Sequence, residues 1–313
     1  MGDNVIQAKS IFDEIRNRGE CIAIALDLSK FFDKIEHAVL KDCLGAVLGG
    51  AHLSRDDYHI WRSVCKYAYV NSEQLKTRLG KKYNRNGRIC SSKDFRNVVR
   101  GKDPEANLVE SNDQHFGIPQ GLPISGLYAN ISLIDFDDAL FSIVKSLGGV
   151  YKRYSDDLAL VVPIGTNTED LINEVSHELT KIGLSINSDK TEVVVFSQKS
   201  GKLIAPKPFQ YLGFTFDGER ILIRQSSIHN YYRKMRKGIR AKVYAAKNQN
   251  IERNNIYMRQ LFKRYTHFGR KRNFPRYAYR AARILESEEV RKQLSGHMGK
   301  FKRFVSVAVD EIY

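Results

Sequence analysis

The chain has 313 residues, 42% of them hydrophobic and 11% aromatic, enough to bury one large core or two smaller ones. Four cysteines are scattered without C-x-x-C spacing, no charged-then-apolar leader opens the sequence, and no stretch approaches the roughly 20 consecutive apolar residues of a spanning helix, so a soluble protein of a reducing cytoplasm is expected, with no membrane partner. The formal charge of +16 is concentrated at one end: Tyr231 to Tyr313 carries 22 Lys and Arg against 6 Asp and Glu, while the remainder is balanced at 29 of each.

In chain order, residues 5–17 space Ile6, Ile11 and Ile15 as a helix would. CIAIALDLS then alternates Ile22, Ile24, Leu26 and Leu28 with small Ala23 and Ala25, a strand buried on both faces that ends near Asp27. FFDKIEHAVLKDCLGAVL is helical, and SRDDYHIWRSVCKYAYV opens with a capping-box pattern from Ser54 to Asp57. Residues 72–115 lose periodicity and read as a polar surface excursion, with a hairpin turn at Asn86-Gly87. GIPQGLPISG precedes an expected single helix, residues 127–147, with Leu127, Ile131, Ile134 and Phe141 in register. Two apolar-edged runs meet at SDD within GVYKRYSDDLALVV. TEDLINEVSHELTKIGL is an amphipathic helix, TEVVVFS, FQYLGFTF and ILIRQ are short strands, and helical basic sequence follows from Ser226. This interleaving lacks the rhythm of a doubly wound sheet, so the expected fold is α+β, an antiparallel sheet with helices on one face.

Three adjacent aspartate pairs occur. Asp56-Asp57 suits the first turn of a helix, and Asp137-Asp138 suits an exposed helix face. Only Asp156-Asp157 lies between two runs that read as core, where it either decorates a turn or holds cations. Asp27 is a third carboxylate at the end of a strand whose preceding six residues carry no charge. Three converging carboxylates would suit two divalent cations roughly 3.5–4 Å apart, the arrangement that supports in-line phosphoryl transfer.

ALDLSKFFDKI, GIPQGLPISGLYANI, RYSDDLALVV, GLSINSDKTEVVVF and FQYLGFTF, in this order over roughly residues 20–216, resemble motifs A to E of a reverse transcriptase. Their wording is most similar to prokaryotic enzymes of the retron, group II intron and abortive-infection groups, and to the defence-associated branch above all. The resemblance implies a right-hand polymerase palm with reduced fingers over 1–225, interrupted at about 72–115, then an α-helical thumb over 226–313. It implies an RNA-directed DNA polymerase that adds deoxynucleoside triphosphates to a DNA primer or product on an RNA template, in a bacterial antiphage defence system.

The implied roles fall on particular residues. Asp27, Asp156, Asp157 and the carbonyl of Leu28 match ligands of two Mg²⁺ ions, for which Mn²⁺ could substitute. Lys190 matches the lysine that protonates the leaving pyrophosphate. Lys30, Phe31, Phe32, Gln120 and Gly121 match nucleotide-binding positions, with Phe32 as the ring that collides with a 2′-hydroxyl. Tyr211, Leu212 and Gly213 match the primer grip. Arg233, Lys234, Arg236, Lys237 and Arg240 head the basic segment, which would hold the duplex through phosphates.

One departure stands out. Only 26 residues precede Asp27, and Lys9, Arg16 and Arg18 are the basic side chains among them. Fingers that grip a triphosphate are therefore supplied by a second protein chain, replaced in part by the eight cations Lys81, Lys82, Arg85, Arg88, Lys93, Arg96, Arg100 and Lys102, or dispensed with. The last case corresponds to untemplated or protein-primed synthesis, or to a non-catalytic nucleic-acid-binding subunit of a larger complex.

Overall fold

A computed structural model describes residues 3–84, 87–101, 106–269 and 273–313. The chain divides into two compact units, one of Met1–Asp27, Phe141–Leu171 and Asn187–Tyr313, the other of Leu28–Leu140 and Ile172–Ile186.

The first unit is built on an antiparallel sheet of five strands, ordered Val150–Tyr154, Asp157–Pro163, Cys21–Asp27, Glu192–Lys199 and Lys202–Ile204. Cys21–Asp27 sits in the middle because it can: an uncharged run with small residues between its isoleucines tolerates cover on both faces and neighbours on both edges. The Asn4–Arg18 helix starts at Asp3, whose carboxylate accepts from the Val5 N–H at 3.0 Å, and stops at Gly19, which takes φ +74°. Its buried stripe is Val5, Ala8, Ile11, Phe12 and Ile15; Ile6, expected on that stripe, points to solvent at 52% exposure.

A second sheet, Phe209–Tyr211, Phe214–Phe216 and Ile221–Ile223, follows in the same unit. Phe216 packs its ring 5.3 Å from Phe12 and 5.7 Å from Phe196. The basic segment forms helices Gln225–Asn248, Arg259–Tyr265, Phe274–Ile284, Glu288–Ser295 and His297–Ile312, whose apolar stripes join one continuous hydrophobic cluster with the sheets. The cations are thereby left on the outer faces of helices anchored by Ile228, Met235, Ile239, Phe301 and Val309.

The other unit is mostly helical. Ser54 caps the Arg55–Cys65 helix as its sequence pattern predicts, accepting from the Asp57 N–H at 3.2 Å. That helix runs through Trp61 and Val64 to Cys65, and Ala68–Tyr69 beyond it pairs with Glu110–Ser111. The 72–115 excursion is more ordered than its lost periodicity suggested. Asn71 caps a helix over Ser72–Leu79, and Ser91 caps another turn that continues as a π-helix over Phe95–Arg100. These are short, locally capped elements with few buried side chains, so no apolar stripe announces them. The expected Asn86-Gly87 turn falls partly outside the described residues, as do Arg85 and Lys102. Asn84 N–H donates to the Ile89 carbonyl at 2.8 Å.

The single helix expected over 127–147 is two, Ser125–Ile131 and Ile134–Ser146. Ser132 and Asn130 turn their side chains onto the carbonyls of Ala129 and Gly126, bonds that compete with helix continuation. The buried face is also different. Leu127 and Phe141 are 56% and 53% exposed, whereas Tyr128, Leu133, Phe136, Leu140 and Val144 are buried.

Candidate active site

Antiparallel register places Asp27 directly opposite Asp157, and Asp157 in turn opposite Tyr154. Ser155 and Asp156 are thus the two-residue loop of a hairpin, and Ser155 takes the left-handed conformation at φ +57° that such a loop demands. The Ser155 carbonyl is held by an Arg153 N–H at 3.0 Å. Asp156 therefore sits at the hairpin tip and Asp157 at the first ladder position.

Both carboxylate oxygens of Asp27 accept from Lys190 Nζ, at 3.0 and 2.9 Å, and its backbone carbonyl accepts from the Asn187 N–H at 2.8 Å. Lys190 occupies a 3-10 turn, Ser188–Lys190, adjoining the strand that pairs with Cys21–Asp27. Its hydrogen bond and charge contact with Asp27 raise its pKa, so it stays protonated at neutral pH. Burial, then the charges of Asp156 and Asp27, push the Asp157 carboxyl up to about 6, with Lys190 and Arg224 opposing them. Tyr211 is 3% exposed, its phenolic O–H has no partner, and burial raises its pKa.

Asp27, Asp157, Lys190 and Tyr211 line a cavity of about 750 Å³ that also takes in Lys207, Arg224 and Glu192; Asp156, at the hairpin tip, is not part of its lining. Arg224 escaped the sequence reading. It ends the stretch ILIRQ, read only as a strand, and only folding reveals that its backbone N–H donates to the Gly213 carbonyl at 3.0 Å.

Among the described residues no three Asp, Glu, His or Cys side chains converge tightly enough to chelate one ion, so the expected closed trio is not formed. Lys190 stands where a cation would neutralise Asp27, and Asp157 carries the cost of unrelieved repulsion. This donor chemistry, all carboxylate oxygen, fits a hard divalent cation once Lys190 releases Asp27.

Tyr211, Leu212 and Gly213 make a tight turn between two strands, with Tyr211 paired to Phe214 and positive φ at both Leu212 (+48°) and Gly213 (+85°). A leucine in that conformation is uncommon and costs energy, which the surrounding core must over-determine.

The remaining nucleotide-binding positions and Leu28 belong to the other unit. Leu28 pairs with Ile186. Lys30 is exposed at φ +48°, ahead of the short Phe31–Lys34 helix. Phe31 is 2% exposed and serves the core, so its side chain offers nothing to a nucleotide. Phe32 is half-buried, and its carbonyl accepts from the Ile118 N–H at 2.9 Å, which ties it to the Gly-Pro loop that carries Gln120 and Gly121. Gly121 takes φ +102° with open space around its missing side chain, so conformation rather than room requires glycine there. Ser125 opens the next helix, two residues ahead of the expected start, and donates to the Pro119 carbonyl at 2.6 Å.

On the basic helix, Arg233, Lys234, Arg236 and Lys237 are exposed, whereas Arg240 is half-buried and ion-paired to Glu311. Arg236 lies 4.8 Å over Phe304, at a groove of about 490 Å³ that adds Lys300 and Arg303 from the His297–Ile312 helix. These residues, some 65 positions apart in sequence, had no local signal to join them. Among the excursion's described cations, Lys82 pairs with Asp94 at 2.7 Å.

The family model for reverse transcriptase (RNA-dependent DNA polymerase) matches residues 4–216. Telomerase reverse transcriptases of Mus musculus and Rattus norvegicus are each 33% identical over 94 residues, which is 30% of this chain and 8% of theirs. The chain thus spans a small part of the curated relatives it matches. Solved structures similar to it include apo telomerase from Candida tropicalis, at 12% identity and TM-score 0.46, covering 98% of this chain and 50% of that one. Telomerase from Candida albicans in complex with a fragment of telomeric RNA is similar at 12% identity and TM-score 0.40, covering 98% and 48%. With the family model matched over more than half of the chain, Asp27, Asp156 and Asp157 included, the chain belongs to the reverse transcriptase family.

Proposed function

We propose that this protein is an RNA-directed DNA polymerase that joins deoxynucleotides to a primer end at the Asp27, Asp156 and Asp157 site. The observation that carries the reading is Asp27 opposite Asp157 in the ladder, with Lys190 on Asp27, inside the family match. Asp27, Asp156, Asp157 and the carbonyl of Leu28 would hold divalent cations, which when bound would activate the primer hydroxyl and neutralise the triphosphate. Lys190, freed from Asp27, holds a proton at Nζ that it can deliver to the departing pyrophosphate. Phe32 excludes a 2′-hydroxyl, Gln120 and Gly121 back the templating pair, and the Tyr211–Gly213 turn supports the primer end. Residues 1–225 act as palm and residues 226–313 as thumb, whose cations hold phosphates without reading sequence. The prokaryotic wording of the motifs favours a defence-associated enzyme of the bacterial cytoplasm.

Primer extension with Mg²⁺ on a defined RNA, with and without ribonuclease pretreatment, tests the proposal. Product complementary to the RNA and lost on pretreatment supports it. Ribonuclease-resistant product attached to protein would instead identify untemplated, protein-primed synthesis.

A further inference from the structure

The helical unit contains a second basic cavity, lined by none of Asp27, Asp156 and Asp157. It measures about 520 Å³, within the range of roughly 300–1,000 Å³ of small-ligand sites. Lys41 and Lys66, Trp61, His115 and Phe116 line it, with Glu36 as the one acid.

Its construction is specific. His37 is buried and fixed, Nε2 lying 2.7 Å from the Gly117 carbonyl and its backbone N–H donating to the His115 carbonyl at 2.9 Å. Asn112 braces the far wall, donating from its side-chain amide to the carbonyls of Cys65 and Phe116 at 3.0 and 3.1 Å. Burial lowers the His37 pKa, and Lys66 and His115 stand near enough to lower it further, so the cations converge on one place.

Rings carry the lysines. Lys41 Nζ rides 5.6 Å from the Tyr58 centroid and 5.8 Å from that of Trp61, and Lys34 Nζ lies 5.2 Å over Phe116. Among the described residues none of Lys34, Lys41 and Lys66 has a carboxylate in salt-bridge contact. The Trp61 indole N–H is shielded from solvent and has no acceptor among the described residues. Phe116 leaves 38% of its surface exposed.

Unpaired cations, aromatic faces and an orphaned donor in one concavity describe a ligand with spaced negative charges, flat rings and acceptor oxygens. We propose that this cavity binds a short stretch of single-stranded nucleic acid. Lys41 exchanges its ring contacts for a phosphate, leaving the ring face to an unstacked base, Lys66 takes a second phosphate, and a base carbonyl or phosphate oxygen accepts from Trp61. A duplex, with its bases paired and stacked, offers the phosphates but not the rings. None of Asp27, Asp156 and Asp157 lines it, so binding there does not require polymerisation.

Trp61 is the only tryptophan in the chain, so it reports on its own site. Titrating the full chain with an oligodeoxythymidylate of about 12 nucleotides, within the span of such sites, should quench tryptophan emission saturably, in step with binding followed by the anisotropy of a labelled copy. Lys41→Gln with Lys66→Gln should weaken binding about tenfold and flatten the log–log salt dependence by about 1.4, two single-strand phosphate contacts. Trp61→Phe should weaken it by a similar factor at unchanged circular dichroism; should that variant not fold, the lysine pair carries the test. The Asp156→Ala, Asp157→Ala variant should quench as the parent does. Tight binding without any change in emission, equal quenching by a duplex or by polyglutamate, or an unchanged affinity in the lysine variant would each overturn the proposal.

Discussion

Replacing Asp157 with Asn should make the metal-free protein more stable at neutral pH, although it removes a central residue of the site. The folded-state pKa of about 6 lies above the ordinary 3.8, so the native chain binds the proton more tightly than the unfolded chain does. Stability from this group is therefore fully present below pH 4 and lost as pH rises through 6. A shift of about two units corresponds to about 3 kcal/mol, which partial solvent exposure reduces to about 1–2 kcal/mol. Asp157→Asn keeps the shape and omits the charge, so it should recover that amount at pH 8 and almost none at pH 4. Urea denaturation of both proteins in chelator, repeated across this range, measures the difference. A variant equal to or weaker than the parent at pH 8, or a difference that does not change with pH, would show that repulsion from Asp156 and Asp27 is not what the carboxylate bears. Adding Mg²⁺ should reverse the order, by stabilising only the parent.

Other consequences follow from single contacts. Lys190→Gln removes a partly exposed ion pair, so stability should fall by no more than about 1 kcal/mol, while single-turnover incorporation slows by roughly 10²–10⁴ if Nζ is the proton donor. Phe32→Ala should raise ribonucleotide over deoxynucleotide incorporation by about 10–200-fold, measured as a ratio of kcat/KM values, without touching the carboxylates. Phe216→Ala, at a fully buried ring between Phe12 and Phe196, should cost about 3–5 kcal/mol in urea denaturation.

Much of this site could be read before any coordinates. CIAIALD is uncharged and alternates, so it had to be a central strand, and a carboxylate at its end facing SDD followed from antiparallel pairing. The serine cap at Ser54 was equally local. What escaped reading depended on distant partners. The motif already pointed to Lys190, but its ion pair with Asp27 shows only in the fold. Arg240 reads as a free phosphate ligand until Glu311 reaches it, and Lys300, Arg303 and Phe304 join Arg236 only through helix packing. The helix ending at Ser146 misled for another reason: its sequence offers two apolar stripes, and the one through Leu127 and Phe141 is the exposed one. Short capped turns over 72–100 left no stripe at all.

The central claim is that Asp27, Asp156 and Asp157 together carry nucleotide addition. Single-nucleotide extension of a primer on RNA, with Mg²⁺ and with any partner chain that copurifies, tests it most directly. The account predicts extension by the parent and loss of at least about 10³-fold in both Asp27→Ala and the Asp156→Ala, Asp157→Ala variant, with circular dichroism unchanged. Undiminished extension by either variant would contradict it.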